Sequence, residues 1–255
     1  MKSKSHFLLV TFAVLLLAAC APAGTPEPAT ATPQLPTSTP APIDTPTPTS
    51  SPTQIPTATA TPDLRVIDDN PENLALQADE LPEEGRFVVE GFRGTLSNDA
   101  IVLAIVQRLG EATGELARAY VEESNRTTGY GVAFVRTNFE YPSPLRVYHE
   151  ISIYESVEGA LSDIQVYKPQ LMMALGRSPV GEHPVLGSAT NVYTEKVTEN
   201  GQELLVYLIE FAYRNTANEV AFWGLEGSYT LDDAFAIAEV VLQKLEQAPL
   251  SAAVE

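Results

Sequence analysis

"ELLVYLIEFAY", residues Glu203 to Tyr213, is the stretch whose reading decides the fold. Successive side chains of a strand point to opposite faces, so a half-buried strand alternates apolar and polar residues. This stretch is apolar on both faces, which predicts an interior strand covered from two sides. Asn200-Gly201, just before it, is the strongest short hairpin signal in the chain. That signal pairs it with an upstream strand over Asn191 to Thr198. A turn at Asn215 to Asn218 leads to a third strand, Glu219 to Leu225. Thr230 then caps "LDDAFAIAEVVLQKLEQ", whose stripe of Leu231, Ala234, Phe235, Ala238, Val241 and Leu245 is to be buried. Asp232 and Asp233 in its first turn and Lys244 near its end suit the helix dipole.

The preceding third has the same grammar. "TTGYGVAFVRTNFEYPSPLRVYHEISIYES" reads as two strands, Tyr130 to Phe139 and Leu145 to Tyr154, joined at Pro142-Ser143-Pro144. Ser156 caps a helix with Val157, Ala160, Leu161 and Ile164 on one face. Pro169 is expected to kink or restart it, and Gly176 to end it. Earlier still, Phe87-Val88-Val89 is a short strand. Ser97 or Asn98 caps a helix with a stripe of Ile101, Val102, Ile105, Val106 and Leu109, broken at Gly110. A second helix follows, with Leu116, Tyr120 and Val121 inward. Leu64 to Glu84 is acidic and mostly irregular, with a helical turn at Glu72 to Ala78. The expected fold class is α+β, a mainly antiparallel sheet packed with helices. Each half runs strands and then a Ser/Thr-capped helix, so a duplicated strand-strand-helix unit also fits.

The chain starts differently. Lys2 and Lys4 give a basic start, and Phe7 to Ala19 is apolar apart from Thr11. That run is too short for the roughly 20 residues of a membrane span and has the length of a signal-peptide core. It ends Leu17-Ala18-Ala19-Cys20. These residues resemble the lipobox of bacterial lipoproteins. The resemblance implies cleavage before Cys20, a diacylglycerol on its sulfur, and anchoring on the extracytoplasmic face of the cell membrane or outer membrane. Residues 21–62 are almost wholly Pro, Thr, Ala and Ser and hold twelve of the chain's twenty prolines. Such a segment buries too little to offset its entropy and is a stalk, about 3.1 Å per residue if fully extended. The expected organisation is a signal peptide over 1–19, the lipidated cysteine and disordered linker over 20–62, one globular domain over 63–250 and a tail over 251–255.

Residues 63–255 carry 31 acidic and 13 basic residues, a net charge of −18. A chain this acidic has no electrostatic reason to hold nucleic acid or an anionic membrane surface. Cys20 is the only cysteine, so no disulfide, thiol nucleophile or cysteine-ligated metal belongs to the domain. His149 lies on a strand, and Glu150 beside it points to the other face, so the two cannot chelate one ion. His183 reads as a loop residue. Asp68-Asp69-Asn70-Pro71-Glu72-Asn73 has oxygen ligands at alternate positions, but Asn73 stands where a calcium loop needs glycine. No metal or cofactor is expected. No Gly-x-Ser-x-Gly, phosphate loop or dinucleotide fingerprint is present, and so many acids give paired carboxylates no specificity.

Thr128-Gly129-Tyr130, "ISIYESVEGAL" and "PVGEHPVLG", within residues 81–248, resemble extracytoplasmic sensor-like domains of bacterial lipoproteins and receptor kinases. The lipobox, the long stalk and one α+β domain without a catalytic signature lead to the expectation of a lipid-anchored binding or sensing module and no enzyme. A small apolar or amphipathic ligand is expected between sheet and helices, with His149 and Trp223 as candidate contacts. The alternative is a protein-interaction or envelope-assembly factor, which needs an exposed apolar patch or a free sheet edge. For the address, Cys20→Ala is expected to abolish acylation and leave the chain uncleaved or misplaced. Normal membrane fractionation of that variant would refute the anchor.

Overall fold

The computed structural model describes residues 65–140, 144–199 and 201–252. The expected signal peptide, lipobox with Cys20 and stalk lie outside these residues, as do Pro142, Ser143 and Asn200 of the expected turns. The elements run β1 (Val66–Ile67), α1 (Pro71–Leu74), β2 (Phe87–Thr95), α2 (Asn98–Leu109), α3 (Glu111–Glu123), β3 (Arg126–Arg136) and β4 (Arg146–Tyr154). Then come α4 (Val157–Ser162), a π-helical turn (Asp163–Tyr167), α5 (Lys168–Ala174), β5 (Ser178–Pro179) and β6 (Ala189–Glu199). The chain closes with β7 (Gln202–Tyr213), β8 (Thr216–Leu225), α6 (Leu231–Glu246) and β9 (Leu250–Ser251). No helix among the described residues is long and apolar enough to cross a membrane.

The main sheet has seven strands in the order β2-β3-β4-β8-β7-β6-β5, and every pairing is antiparallel. The fold is α+β. β7 is an interior strand covered on both faces, as its sequence requires. On one face Ile209, Phe211, Val220, Phe222, Val147 and Ile151 pack against Ala234, Phe235, Ala238 and Val241 of α6. On the other, Tyr154, Ala212 and Ala217 meet Ala160 and Ile164 of the α4 segment. Leu208 and Ala221 meet Met172 of α5 there. Each half is thus a meander followed by a helix, but the two helices lie on opposite faces of the sheet.

The caps fall where side-chain chemistry puts them. The hydroxyls of Ser97, Ser156 and Thr230 accept from Ala100, Gly159 and Asp233 amides. Asn70 caps α1, and the Asp69 carboxylate accepts from Asn70 and Asn73. Several boundaries differ from the sequence reading; β3, for one, starts at Arg126 and not at Tyr130. β2 runs on to Thr95 through a bulge between Val89 and Arg93, where Gly91 takes φ 84°. β3 stops at Arg136 because Thr137 and Asn138 donate back to the Arg86 and Gly85 carbonyls instead of to a strand. β8 starts at Thr216, so the turn after β7 shrinks to Arg214-Asn215.

That short turn aims Asn215 at the chain's first strand. Its Oδ1 accepts from the Ile67 amide at 2.7 Å, and its Nδ2 donates to the Ile67 and Tyr154 carbonyls. β1 has only β9 as a strand partner, so this buried amide ties it to the sheet. Asn215→Ala leaves those groups unpaired and should cost about 1–3 kcal/mol. Urea unfolding checks the magnitude. Hydrogen exchange should show the Ile67 amide losing protection before the interior of β7 does.

Candidate functional site

Register places three glutamates side by side. Glu150 of β4 is the Cα partner of Glu219 of β8, which is the partner of Glu210 of β7. All three project to the α4–α5 face. Adjacent strands lie about 4.8 Å apart, where like charges repel. The cation that relieves them is Lys168, whose Nζ is 2.6 Å from Glu219 and 4.0 Å from Glu210.

The π turn explains why Lys168 arrives there. Residues five apart on an α-helix lie about 140° apart around the axis. The wider turn brings such residues closer to one side, so Asp163 and Lys168 both face the glutamates. Pro169 has no amide to donate, and the Lys168 amide bonds the Asp163 carbonyl. The bypassed Ile164 carbonyl is taken by the Asn191 side chain from β6. Pro169 thus restarts the helix as expected, by way of a π turn.

Above the row lies a cavity of about 250 Å³. Its walls are Ile101, Ile105 and Leu109 of α2, Ala117 and Tyr120 of α3, and Leu171 of α5. Tyr148, Glu150, Glu219, Asp163 and Lys168 line its polar side, and Arg108 and Arg177 also border it. α2 has no buried residue at all, although it carries the expected apolar stripe. Ile101, Ile105 and Leu109 of that stripe look into the cavity; Val106 instead meets α3, where a Cβ on Gly114 would collide with it. Leu116, expected inward, borders the cavity and keeps 40 % of its surface exposed.

The roof is tied down at two places. Arg126, 3 % exposed, donates from Nε to Ser152 and from its terminal nitrogens to the Leu96 carbonyl and Asn98 Oδ1. It thereby fixes the start of α2 to the sheet, lying over Gly129, where any Cβ would meet the guanidinium. At the end of α3, the hydroxyls of Tyr120 and Tyr154 are 2.8 Å apart, and Tyr154 donates to Asp163 Oδ2 at 2.6 Å.

Burial sets the protonation of the polar side. It pushes Glu210 up to about 8 despite Lys168. It likewise raises Glu150 and Asp163 above the usual carboxylate range. Burial acts to raise Glu219 too, but contact with Lys168 and the nearness of Arg177 outweigh it and hold Glu219 low. Lys168 is held above its ordinary value because the four carboxyls outweigh its own burial.

The residues singled out from sequence lie elsewhere. His149 is fully buried on the opposite, α6-covered face; its Nδ1 accepts from the Leu76 amide at 3.0 Å. Burial lowers it to about 4. Trp223 is on the cavity side of the sheet, half-buried in the cluster of Met172, Tyr193, Leu208 and Ala221, next to the cavity wall and not in it. His183 is exposed. Asp163, Lys168 and Glu210 went unremarked, and Glu150 and Glu219 were named only for a strand face and a strand start; the one signal was Glu210, a lone charge inside an apolar strand.

No family model matches the chain, and no curated protein matches it. Among solved structures, it is similar to the extracellular domain of PknH from Mycobacterium tuberculosis, with a TM-score of 0.42 and 12% identity. The match covers 68% of this chain and 93% of that one. A likeness at this level says nothing of ligand or partner.

Glu210 makes stability depend on pH. Its folded pKa lies above its unfolded value, so its contribution is full below about 4.5 and lost as pH rises to about 8. His149, lowered from 6.5 to about 4, has the opposite slope, which ends near pH 6.5. Stability should therefore fall between pH 6.5 and 8, by up to roughly 1.4 kcal/mol per unit for one proton. Urea titrations across that window should show Glu210→Gln with a shallower fall than the parent.

Proposed function

We propose that the chain is a lipid-anchored extracytoplasmic binding module whose cavity takes a small amphipathic molecule. The observation that carries this reading is the cavity itself: apolar walls from three helices, with carboxyls and one ammonium along its polar side. Ligand sites combine these features, a mostly apolar lining and a few convergent polar groups. The α2 stripe adds to it, since a helix spends apolar residues on a face that something covers. A cavity of roughly 150 Å³ accepts benzene, so about 250 Å³ suits a ligand on the order of ten non-hydrogen atoms. The lipobox at Leu17 to Cys20 and the proline-rich stalk support the address.

The envelope-assembly alternative needs an exposed apolar patch or a free sheet edge. β2 does expose Val88, Val89 and Phe92, but its bulge breaks the run of edge hydrogen-bonding groups. The other edge, β5, is two residues long and ends in Pro179. Both are the devices by which sheets avoid edge pairing.

Native mass spectrometry of the full chain, purified gently from its host, tests the binding reading. The expected result is a reproducible added mass that disappears on denaturation. Ala104→Trp, which fills the cavity from α2, should abolish the added mass and leave the fold intact by circular dichroism. An added mass that survives Ala104→Trp, or a bare mass in every preparation, overturns the reading.

A further inference from the structure

We infer that the ligand is a cationic amphiphile, an amine with an apolar body whose ammonium is received by Asp163 and Glu150. This inference rests on the binding reading and names the chemistry of its polar end. It begins from a count of donors and acceptors. Four carboxyls (Glu150, Asp163, Glu210 and Glu219) act on Lys168, and each side chain counts in its electrostatics. Lys168 spends its close contact on Glu219. Asp163 is fully buried and lines the cavity; Tyr154 donates to its Oδ2, while its Oδ1 has no hydrogen-bond partner among the described residues. Glu150 also lines the cavity and receives the Tyr148 hydroxyl on Oε2.

A carboxylate accepts about four hydrogen bonds, so both groups have acceptor capacity left over. An unmet buried acceptor costs free energy that an incoming donor recovers. An ammonium supplies three donors and the missing positive charge together. A metal ion is the wrong donor here: no group of three His, Cys, Asp or Glu among the described residues is placed to hold one. The net charge of −18 favours approach of a cation over an anion.

The arginines on the cavity do not call for an anionic ligand. Arg177 Nε is 3.3 Å from Glu195 and already paired. Arg108 lies on the exposed part of α2; burial and the neighbouring Arg177 lower it, while Glu195 and Glu219 act in the opposite sense. The unmet groups at the buried end are acceptors.

Three nearly isosteric probes separate the possibilities: cyclohexylmethylamine, cyclohexylmethanol and cyclohexanecarboxylate. Each is titrated calorimetrically into the full chain at neutral pH. The amine should bind at least about tenfold more tightly than the other two, the scale of a charged hydrogen bond. Asp163→Asn should bring the amine down to the affinity of the alcohol and leave the alcohol unchanged. Should Asp163→Asn fail to fold, Glu150→Gln carries the same expectation. If the alcohol or the carboxylate binds as tightly as the amine, or both variants keep the amine preference, the cationic inference falls and the binding reading stands. If none of the three binds, and Ala104→Trp does not change the native mass, both fall.

Discussion

Three glutamates aligned across β4, β8 and β7, with one lysine over them, are the constraint on which this side of the molecule depends. The strands cannot separate the carboxyls, because the pairing register fixes them one strand spacing apart. Water screens them only in part, because helices cover most of the face. Charge can then be reduced in two ways, by a cation or by keeping protons on. The structure uses both. Lys168 holds Glu219 ionised at 2.6 Å, and burial keeps the Glu210 proton to about pH 8. The π turn before α5 follows from the same need, since it carries Lys168 round to the glutamates.

The two faces of the sheet differ for that reason. On the α6 face, aliphatic and aromatic side chains interdigitate, and the buried polar groups there, such as His149 and Asn218, pair among themselves or with backbone. On the other face, apolar helices cannot close over carboxyls that lack donors without adding to the desolvation cost. The α2–α3 hairpin therefore stands off the sheet. It is one packed unit, seated at Gly114 and Val106, and it meets the sheet through polar ties: Arg126 at one end, Tyr120 to Tyr154 at the other. A helix with no buried residue, held by its neighbours and its ends, belongs to the least stable part of a fold. That is where entry to a cavity is easiest.

Much of the fold was legible because it rests on local rules. The two-sided apolar run at Glu203 to Tyr213 implied a doubly covered strand, and Ser97, Ser156 and Thr230 marked three helix starts. The boundaries that moved were set by long-range partners. Arg86 and Gly85 end β3, and Asn215 shortens a turn in order to reach Ile67. The candidate site was not legible, for one physical reason. Glu150, Glu210 and Glu219 are distant in sequence, and only the pairing of β4 with β8 and of β8 with β7 lines them up. Sequence pattern fixes which face a residue takes, whereas register fixes its neighbours. His149 drew notice as a rare titratable residue, yet one place along the strand, Glu150, faces the cavity.

A module that senses must turn occupancy into a change that something outside can detect. A ligand does this only through a difference in affinity between two states. α2 has the needed position. Its inner face supplies Ile101, Ile105 and Leu109 to the cavity, while Leu103 on the same helix is 56 % exposed at the outside. Filling the cavity would bury the inner residues and so stabilise α2 in its present place, at about 25 cal/mol per Å² of apolar surface covered. An amine at the polar side would act in the same direction, because it supplies donors to the carboxyls whose desolvation keeps the hairpin off the sheet. Apolar contact and charge neutralisation would then favour one and the same state, with the roof seated.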